Sequence, residues 1–284
     1  MTTTKSIWLV TNSASGSNDQ AAWDELEHHC EGAGLCIGRN IRFPVEPLPR
    51  AAELREHEVE LVAVFAGDGT TSALVTSLYG WEGAILVLPG GTMNLLYQRL
   101  HGGRTMQQAI AAMAAGDVRR HRPGIIRSSR GDALSGLLAG PGTEWNEVRE
   151  AIRDVDPVGM AKGAAQAIDR SVAGPTIACT NPALGRVEGY SLIMITPEDE
   201  GMALRGYHSE TIEDYFAQGL ALLKRDFRDG PHDKLGEVIT VEIESAAGEP
   251  IGLLVDGEPA EGSRRERFEL ARCEVDLLAT RFDD

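Results

Sequence analysis

The amino-acid sequence predicts an α/β protein with a parallel sheet in its N-terminal part and a β-rich C-terminal part. Up to about residue 120, apolar runs typical of buried strands alternate with helical periods. Two of these runs, 61–65 and 84–88, end in glycine-rich turns that lead into helix-compatible sequence. After residue 119, short apolar runs separated by glycine, proline and charged residues are typical of a β-rich domain.

The N-terminal elements follow one another as strand and helix. A strand at 6–10 leads through a polar glycine turn at 12–17, the opening turn, into a helix at 21–30. Ligands of such sheets bind at the carboxyl ends of the strands, and all three glycine turns fall at those ends. The further elements predicted here are strands at 36–43, 61–65 and 84–88 and helices at 50–57 and 107–115.

The remainder of the chain is expected to form a second domain. A length of 284 residues suits two domains, which we place at 1–120 and 121–284 with a cleft between them. The predicted elements of the second domain are strands at 124–126, 135–139, 176–179, 191–196, 238–243 and 251–255 and helices at 147–152, 160–172 and 212–227.

Composition excludes several classes of protein. A formal net charge of −16 disfavours nucleic-acid binding and gives no general attraction to anionic membranes. The basic clusters at 119–122 and 263–267 are expected to be solvated turns. Long apolar segments and a signal peptide are absent from the sequence, which predicts a cytoplasmic protein. The four cysteines and seven histidines show no disulfide or zinc spacing.

The two central glycine turns predict a nucleotide site. The first glycine loop is Ala66-Gly67-Asp68-Gly69-Thr70, and the second, at 89–94, reads Pro-Gly-Gly-Thr-Met-Asn. Glycines let backbone N–H groups approach a phosphate, and a helix N-terminus adds positive partial charge. Asp68 would repel that phosphate unless a divalent cation lay between them, which predicts Mg²⁺ at Asp68. An Asp-Gly hairpin there would need a strand directly afterwards, whereas 71–75 continues as a helix.

These motifs, with Asp256-Gly257-Glu258 near the C-terminus and the opening turn, resemble the catalytic module of diacylglycerol kinases and related lipid kinases. Their order and spacing agree with that family across nearly the whole chain. The resemblance implies a phosphofructokinase-like first domain, a β-sandwich second domain, and ATP and Mg²⁺ as cofactors. It implies a nucleotide site formed by Asn12, Ser15, Gly16, Ala66, Gly67, Asp68, Gly69, Thr70, Gly91, Thr92 and Asn94.

The resemblance also suggests catalytic roles. Transfer to an alcohol needs a proton acceptor near the γ-phosphate. We assign this role to Glu258, Mg²⁺ and phosphate binding to Asp68, and a supporting role to Asp256; the roles of Asp68 and Glu258 are interchangeable at this stage. Asn94 either caps the helix that begins at 95 or touches substrate.

The expected reaction is transfer of the γ-phosphate of ATP to a lipid hydroxyl, such as that of diacylglycerol, by a cytoplasmic protein that associates transiently with the membrane surface. A homodimer is compatible with the sequence and is not specified by it. The alternatives are an NAD kinase-like enzyme and a catalytically silent nucleotide- or lipid-binding protein. Ala66 replaces a family glycine, and the family's acidic segment before the last helix is not recognisable at 196–201.

Overall fold

The computed structural model describes residues 5–12, 20–141, 176–208 and 232–280. The chain divides into two compact units, one formed by Met1–Pro123 with Arg272–Asp284 and the other by Gly124–Ala271. Ser15 and Gly16 lie outside the described residues, as do the predicted helices at 147–152, 160–172 and 212–227.

The first unit is an α/β structure built on one six-stranded sheet. Numbered along the whole chain, its strands are β1 (Lys5–Thr11), β2 (Leu35–Arg42), β3 (Leu61–Ala66), β4 (Ala84–Pro89), β5 (Val118–His121) and β18 (Asp276–Thr280). Its described helices are α1 (Gln20–Gly32), α2 (Ala51–Glu56), α3 (Asp68–Ser77), α4 (Leu95–His101) and α5 (Met106–Ala115). The strand order is β2-β1-β3-β4-β18-β5.

The centre of this sheet is parallel. β3 pairs with β1 on one side and with β4 on the other. Every residue of β3 is buried, which explains its unbroken apolar sequence, since a strand covered on both faces does not alternate. The predicted parallel α/β fold of the N-terminal part is confirmed.

The last described strand returns to the first sheet. β18 runs parallel to β4 and antiparallel to β5. We had assigned all of 121–284 to the second domain, but Leu277 and Ala279 are buried in the first unit. A five-residue strand gives no sequence signal for the sheet it will join, because both units need the same apolar side chains.

The described part of the second unit forms two six-stranded sheets with antiparallel strand pairing. Leu253 of one sheet and Phe268 of the other are fully buried in one shared hydrophobic core, which confirms the predicted β-sandwich. The sheet orders are β10-β9-β14-β17-β6-β7 and β13-β12-β11-β8-β15-β16. The strands are β6 (Gly124–Ser128), β7 (Gly131–Ala133), β8 (Leu137–Pro141), β9 (Ile177–Asn181), β10 (Ala183–Leu184), β11 (Leu192–Pro197), β12 (Met202–Tyr207), β13 (Asp233–Val238), β14 (Thr240–Ser245), β15 (Ile251–Val255), β16 (Glu258–Glu261) and β17 (Arg265–Arg272).

The basic clusters are not the solvated turns that we predicted. Most of 119–122 belongs to β5, and most of 263–267 belongs to β17. In β17, Glu266 and Phe268 face the interior while Arg265 and Arg267 are exposed. Both arginines are paired with strand carboxylates, Arg265 with Glu244 and Arg267 with Glu269. Buried and exposed residues alternate here with a period of two, which indicates a strand. The charged side chains made that alternation hard to recognise in the sequence.

Candidate functional site

The two glycine loops of the first unit pack directly against each other. β3 and β4 are parallel neighbours, and their registered ends pair Ala66 with Pro89. A Cβ atom on Gly90 would lie 2.5 Å from the backbone nitrogen of Ala66. A Cβ atom on Gly91 would lie 2.5 Å from the Cα of Gly67. These two glycines are therefore required by loop-to-loop packing, a role that we did not predict.

Asn94 closes the second glycine loop onto itself. Its backbone is left-handed, with φ of 50°, and it occupies the position directly before α4. The Gly91 N–H donates to Asn94 Oδ1 at 2.8 Å, and Asn94 Nδ2 donates to the Gly91 carbonyl at 2.7 Å. Within the described chain, the Asn94 side chain makes no capping hydrogen bond to α4. The capping alternative is therefore wrong for the side chain, although Asn94 does lie directly before the helix.

Asp68 takes the place of that cap. It is the first residue of α3 and is half-buried, and its Oδ1 accepts the N–H of Leu96 at 3.2 Å. Burial raises the pKa of Asp68, while the backbone N–H groups of Leu96, Leu95 and Asn94 act in the opposite direction. The carboxylate of the first glycine loop thus faces the start of the helix that follows the second glycine loop.

The other described residues of the predicted nucleotide site lie in these loops or next to them. Asn12, at the start of the opening turn, donates from Nδ2 to Thr70 Oγ1 at 2.9 Å. The side chain of Thr92 is exposed. Ala66 is buried at the end of β3 and has negative φ, so the alanine adopts its backbone conformation without strain. The structure therefore brings the ends of β1, β3 and β4 together at one edge of the sheet.

In the second unit, Asp256 and Gly257 form the turn of a β-hairpin. β15 ends at Val255 and β16 begins at Glu258, and these two residues are cross-strand partners. Both turn residues have positive φ, 48° for Asp256 and 87° for Gly257, as a type I′ turn requires. Glu258 is exposed and lies directly after the turn.

Asp256 is buried and is held by three backbone N–H groups. Leu134 donates to its Oδ2 at 2.8 Å, and Ser135 and Gly136 donate to its Oδ1 at 2.8 Å and 3.2 Å. Its own N–H donates to the Gly136 carbonyl at 3.1 Å. The side chain thus ties the hairpin turn to the turn before β8. We had expected 135 and 136 to belong to a strand, and no residue there signalled the contact.

The donor set suits a cation shared with a ligand better than an all-protein metal cage. Among the described residues, no group of three or more His, Cys, Asp or Glu side chains is arranged to hold a metal ion. Mg²⁺ usually takes one or two carboxylates and completes its shell with phosphate oxygens and water. Asp68 fits that role, because it lies at the packed glycine loops.

Fold and loops together define a two-unit α/β and β-sandwich protein with glycine loops at the carboxyl ends of parallel strands. Residues 6–125 match the model of the diacylglycerol kinase catalytic domain, so this part of the chain is similar to that family. The predicted resemblance is confirmed, and the family is one of kinases. No curated protein sequence matches the chain at a significant level.

Solved structures share the whole fold. A structure described as a diacylglycerol kinase from Bacillus anthracis str. Sterne superposes with a TM-score of 0.62 at 16% identity, covering 98% of both chains. A candidate diacylglycerol kinase from the same organism has a TM-score of 0.60 at 15% identity, covering 97% of this chain and 95% of the other. At these identities the similarity establishes the fold.

Proposed function

We propose that the protein transfers the γ-phosphate of ATP to the hydroxyl of a lipid, with diacylglycerol as the first candidate acceptor. The observation that carries the proposal is the pair of packed glycine loops, which end β3 and β4 within the segment that matches the kinase family. Ligands of parallel sheets bind at this edge.

In this proposal the first unit binds the nucleotide. Backbone N–H groups of the glycine loops and the exposed hydroxyl of Thr92 contact the phosphates. Asp68 would hold Mg²⁺, which when bound would offset phosphate charge. Because these donors are fixed before the reaction, they stabilise developing charge without reorganising.

The second unit supplies the proton acceptor. Glu258 accepts the proton of the lipid hydroxyl as the new P–O bond forms and the bond to ADP breaks. Asp256 holds the turn before Glu258 in one conformation through its three backbone hydrogen bonds. Asp256 therefore supports Glu258 as a positioning residue, since both of its oxygens are already occupied by the protein.

The acceptor lies at a membrane surface, which the protein would visit transiently. Among the described residues, no helix has the length and apolar character needed to span a bilayer. With a net charge of −16, such visits would depend on the lipid substrate or on local contacts rather than on overall attraction to anionic lipids.

The proposal is tested by incubating the full chain with ATP labelled in the γ-phosphate, Mg²⁺ and a panel of acceptors. The panel contains diacylglycerol and sphingosine, each in phosphatidylcholine vesicles, and NAD in solution. We expect label in the lipid fraction and none in NAD. Labelled NAD would favour the NAD kinase alternative, and absence of label in every acceptor would contradict the proposed activity.

A further inference from the structure

The start of α4 depends on a residue from another loop. A helix leaves its first N–H groups without intrahelical partners, and the side chain directly before the helix usually accepts one of them. Asn94 occupies that position in a left-handed conformation, and its amide group is bonded to Gly91 instead.

Asp68 provides the missing acceptor. The Leu96 N–H, in the first turn of α4, donates to Asp68 Oδ1 at 3.2 Å across 28 positions of sequence. A carboxylate at this place also interacts favourably with the positive end of the helix. α5, by contrast, is capped within its own sequence, because Thr105 accepts the Gln108 N–H and the Gln108 side chain accepts the Thr105 N–H.

The backbones of the two glycine loops are packed too closely to shift past each other. Gly90 and Gly91 approach the backbone of Ala66 and Gly67 so closely that neither tolerates a Cβ atom. A shift of α4 would therefore be transmitted to the second glycine loop and its contact with the first. The hydrogen bond from Leu96 to Asp68 adds a polar contact between α4 and the first glycine loop.

We propose that Asp68 is a positioning residue that caps α4 and thereby fixes the two glycine loops relative to each other before any nucleotide or metal binds. This role is additional to the Mg²⁺ role in the proposed function, and only its consequence for ATP affinity rests on that function. Oδ1 of Asp68 accepts the N–H of the helix, and the charge of the carboxylate would attract the cation.

Hydrogen exchange of the full chain without nucleotide, metal or lipid tests the proposal. Asp68→Ala removes the acceptor, so exchange of the amides of 96–100 should accelerate about fivefold, as expected for loss of a helix cap. Asp68→Asn retains an oxygen at the Oδ1 position and should restore most of the protection. Thr105→Ala is the matched control, because it removes an ordinary cap and should accelerate exchange in α5 alone.

Unchanged exchange of α4 in Asp68→Ala would overturn the proposal, as would equal acceleration in Asp68→Asn and Asp68→Ala. A protein without kinase activity could still pass or fail this test, so the two proposals fail separately. If phosphate transfer is observed, Asp68→Ala should raise KM for ATP more than Asp68→Asn does, while kcat falls in both variants. Equal KM values would contradict the link between the cap and the nucleotide loops.

Discussion

Two Asp-Gly pairs lie among the predicted site residues, and they form different structures. Asp68-Gly69 opens helix α3 after a parallel strand, whereas Asp256-Gly257 is the turn of an antiparallel hairpin. Both aspartates accept backbone N–H groups from a distant segment, Asp68 from Leu96 and Asp256 from Leu134, Ser135 and Gly136. The same dipeptide therefore anchors two kinds of turn.

The two carboxylates differ in their burial and in their hydrogen bonds. Asp256 is buried, and both of its oxygens are bonded to backbone N–H groups. Asp68 is half-buried and uses Oδ1 for its bond to Leu96. We therefore expect substitution of Asp68 to reduce activity and substitution of Asp256 to reduce stability. The following variants test that contrast.

The largest effect is expected for the activity of Asp68→Asn. The substitution removes the charge that would hold Mg²⁺ while keeping the shape of the side chain, so turnover should fall by about 10³-fold or more. Circular dichroism and the unfolding midpoint should stay close to the wild type. Activity near the wild-type level would show that Asp68 is not the metal residue.

Asp256→Ala should reverse that pattern. It leaves three N–H groups without their acceptor, so the free energy of unfolding of the second unit should fall by about 4 kcal/mol. Asp256→Asn should also be destabilising, because its amide would point N–H at N–H. Denaturant unfolding of both variants measures the effect. If Asp256→Asn were as stable as the wild type, as we expect of Asp68→Asn, the contrast between the two aspartates would be contradicted.

At the other end of α4, His101 makes a pH-dependent contribution to the stability of the fold. His101 is fully buried, and the Val87 backbone only partly opposes the effect of that burial on the pKa of the ring. Burial lowers the pKa of His101 from 6.5 to about 4. The unfolded chain therefore binds a proton that the folded chain refuses, so stability falls as the pH drops from 6.5 to 4, by about 3 kcal/mol at most.

Unfolding of the wild type and of His101→Phe across that pH range isolates this contribution. The difference in the free energy of unfolding between the two proteins should change by most of this amount. A constant difference would mean that the ring is protonated, or solvated, in the folded protein.

The smallest effect is expected for Ala66→Gly. Ala66 has negative φ at the end of a strand, so restoring the family glycine should only add flexibility to the unfolded chain. The free energy of unfolding should fall by roughly 0.5–1 kcal/mol, and KM for ATP should not change. A marked gain in ATP affinity would show that the alanine side chain obstructs the nucleotide.

Sequence reasoning succeeded where a pattern was local. The unbroken apolar run of β3 and the helix directly after Asp68 were sufficient to predict the strand, the turn and the α/β class of the first unit. It failed where a partner is distant in the chain. Leu96 offers Asp68 only its backbone N–H, and 134–136 offer Asp256 only theirs, and a backbone group leaves no trace in the residue type.

Length and charge explain the other failures. β18 has too few residues to reveal that it joins the first sheet, and the arginines of β17 concealed a strand whose Glu266 and Phe268 face inward. The closeness of Gly90 and Gly91 to the first glycine loop was also hidden, because a glycine needed for packing and a glycine needed for phosphate binding look the same in a sequence.

The most direct test of the account is phosphate transfer from ATP to diacylglycerol by the wild type and by Glu258→Gln, measured beside ATP binding. Glutamine keeps the size of the side chain and removes the proton acceptor, so transfer should fall by about 10²- to 10⁴-fold while ATP affinity is unchanged. Near-full activity of Glu258→Gln would contradict its assignment as the base, and absence of transfer by the wild type would contradict the proposed function itself.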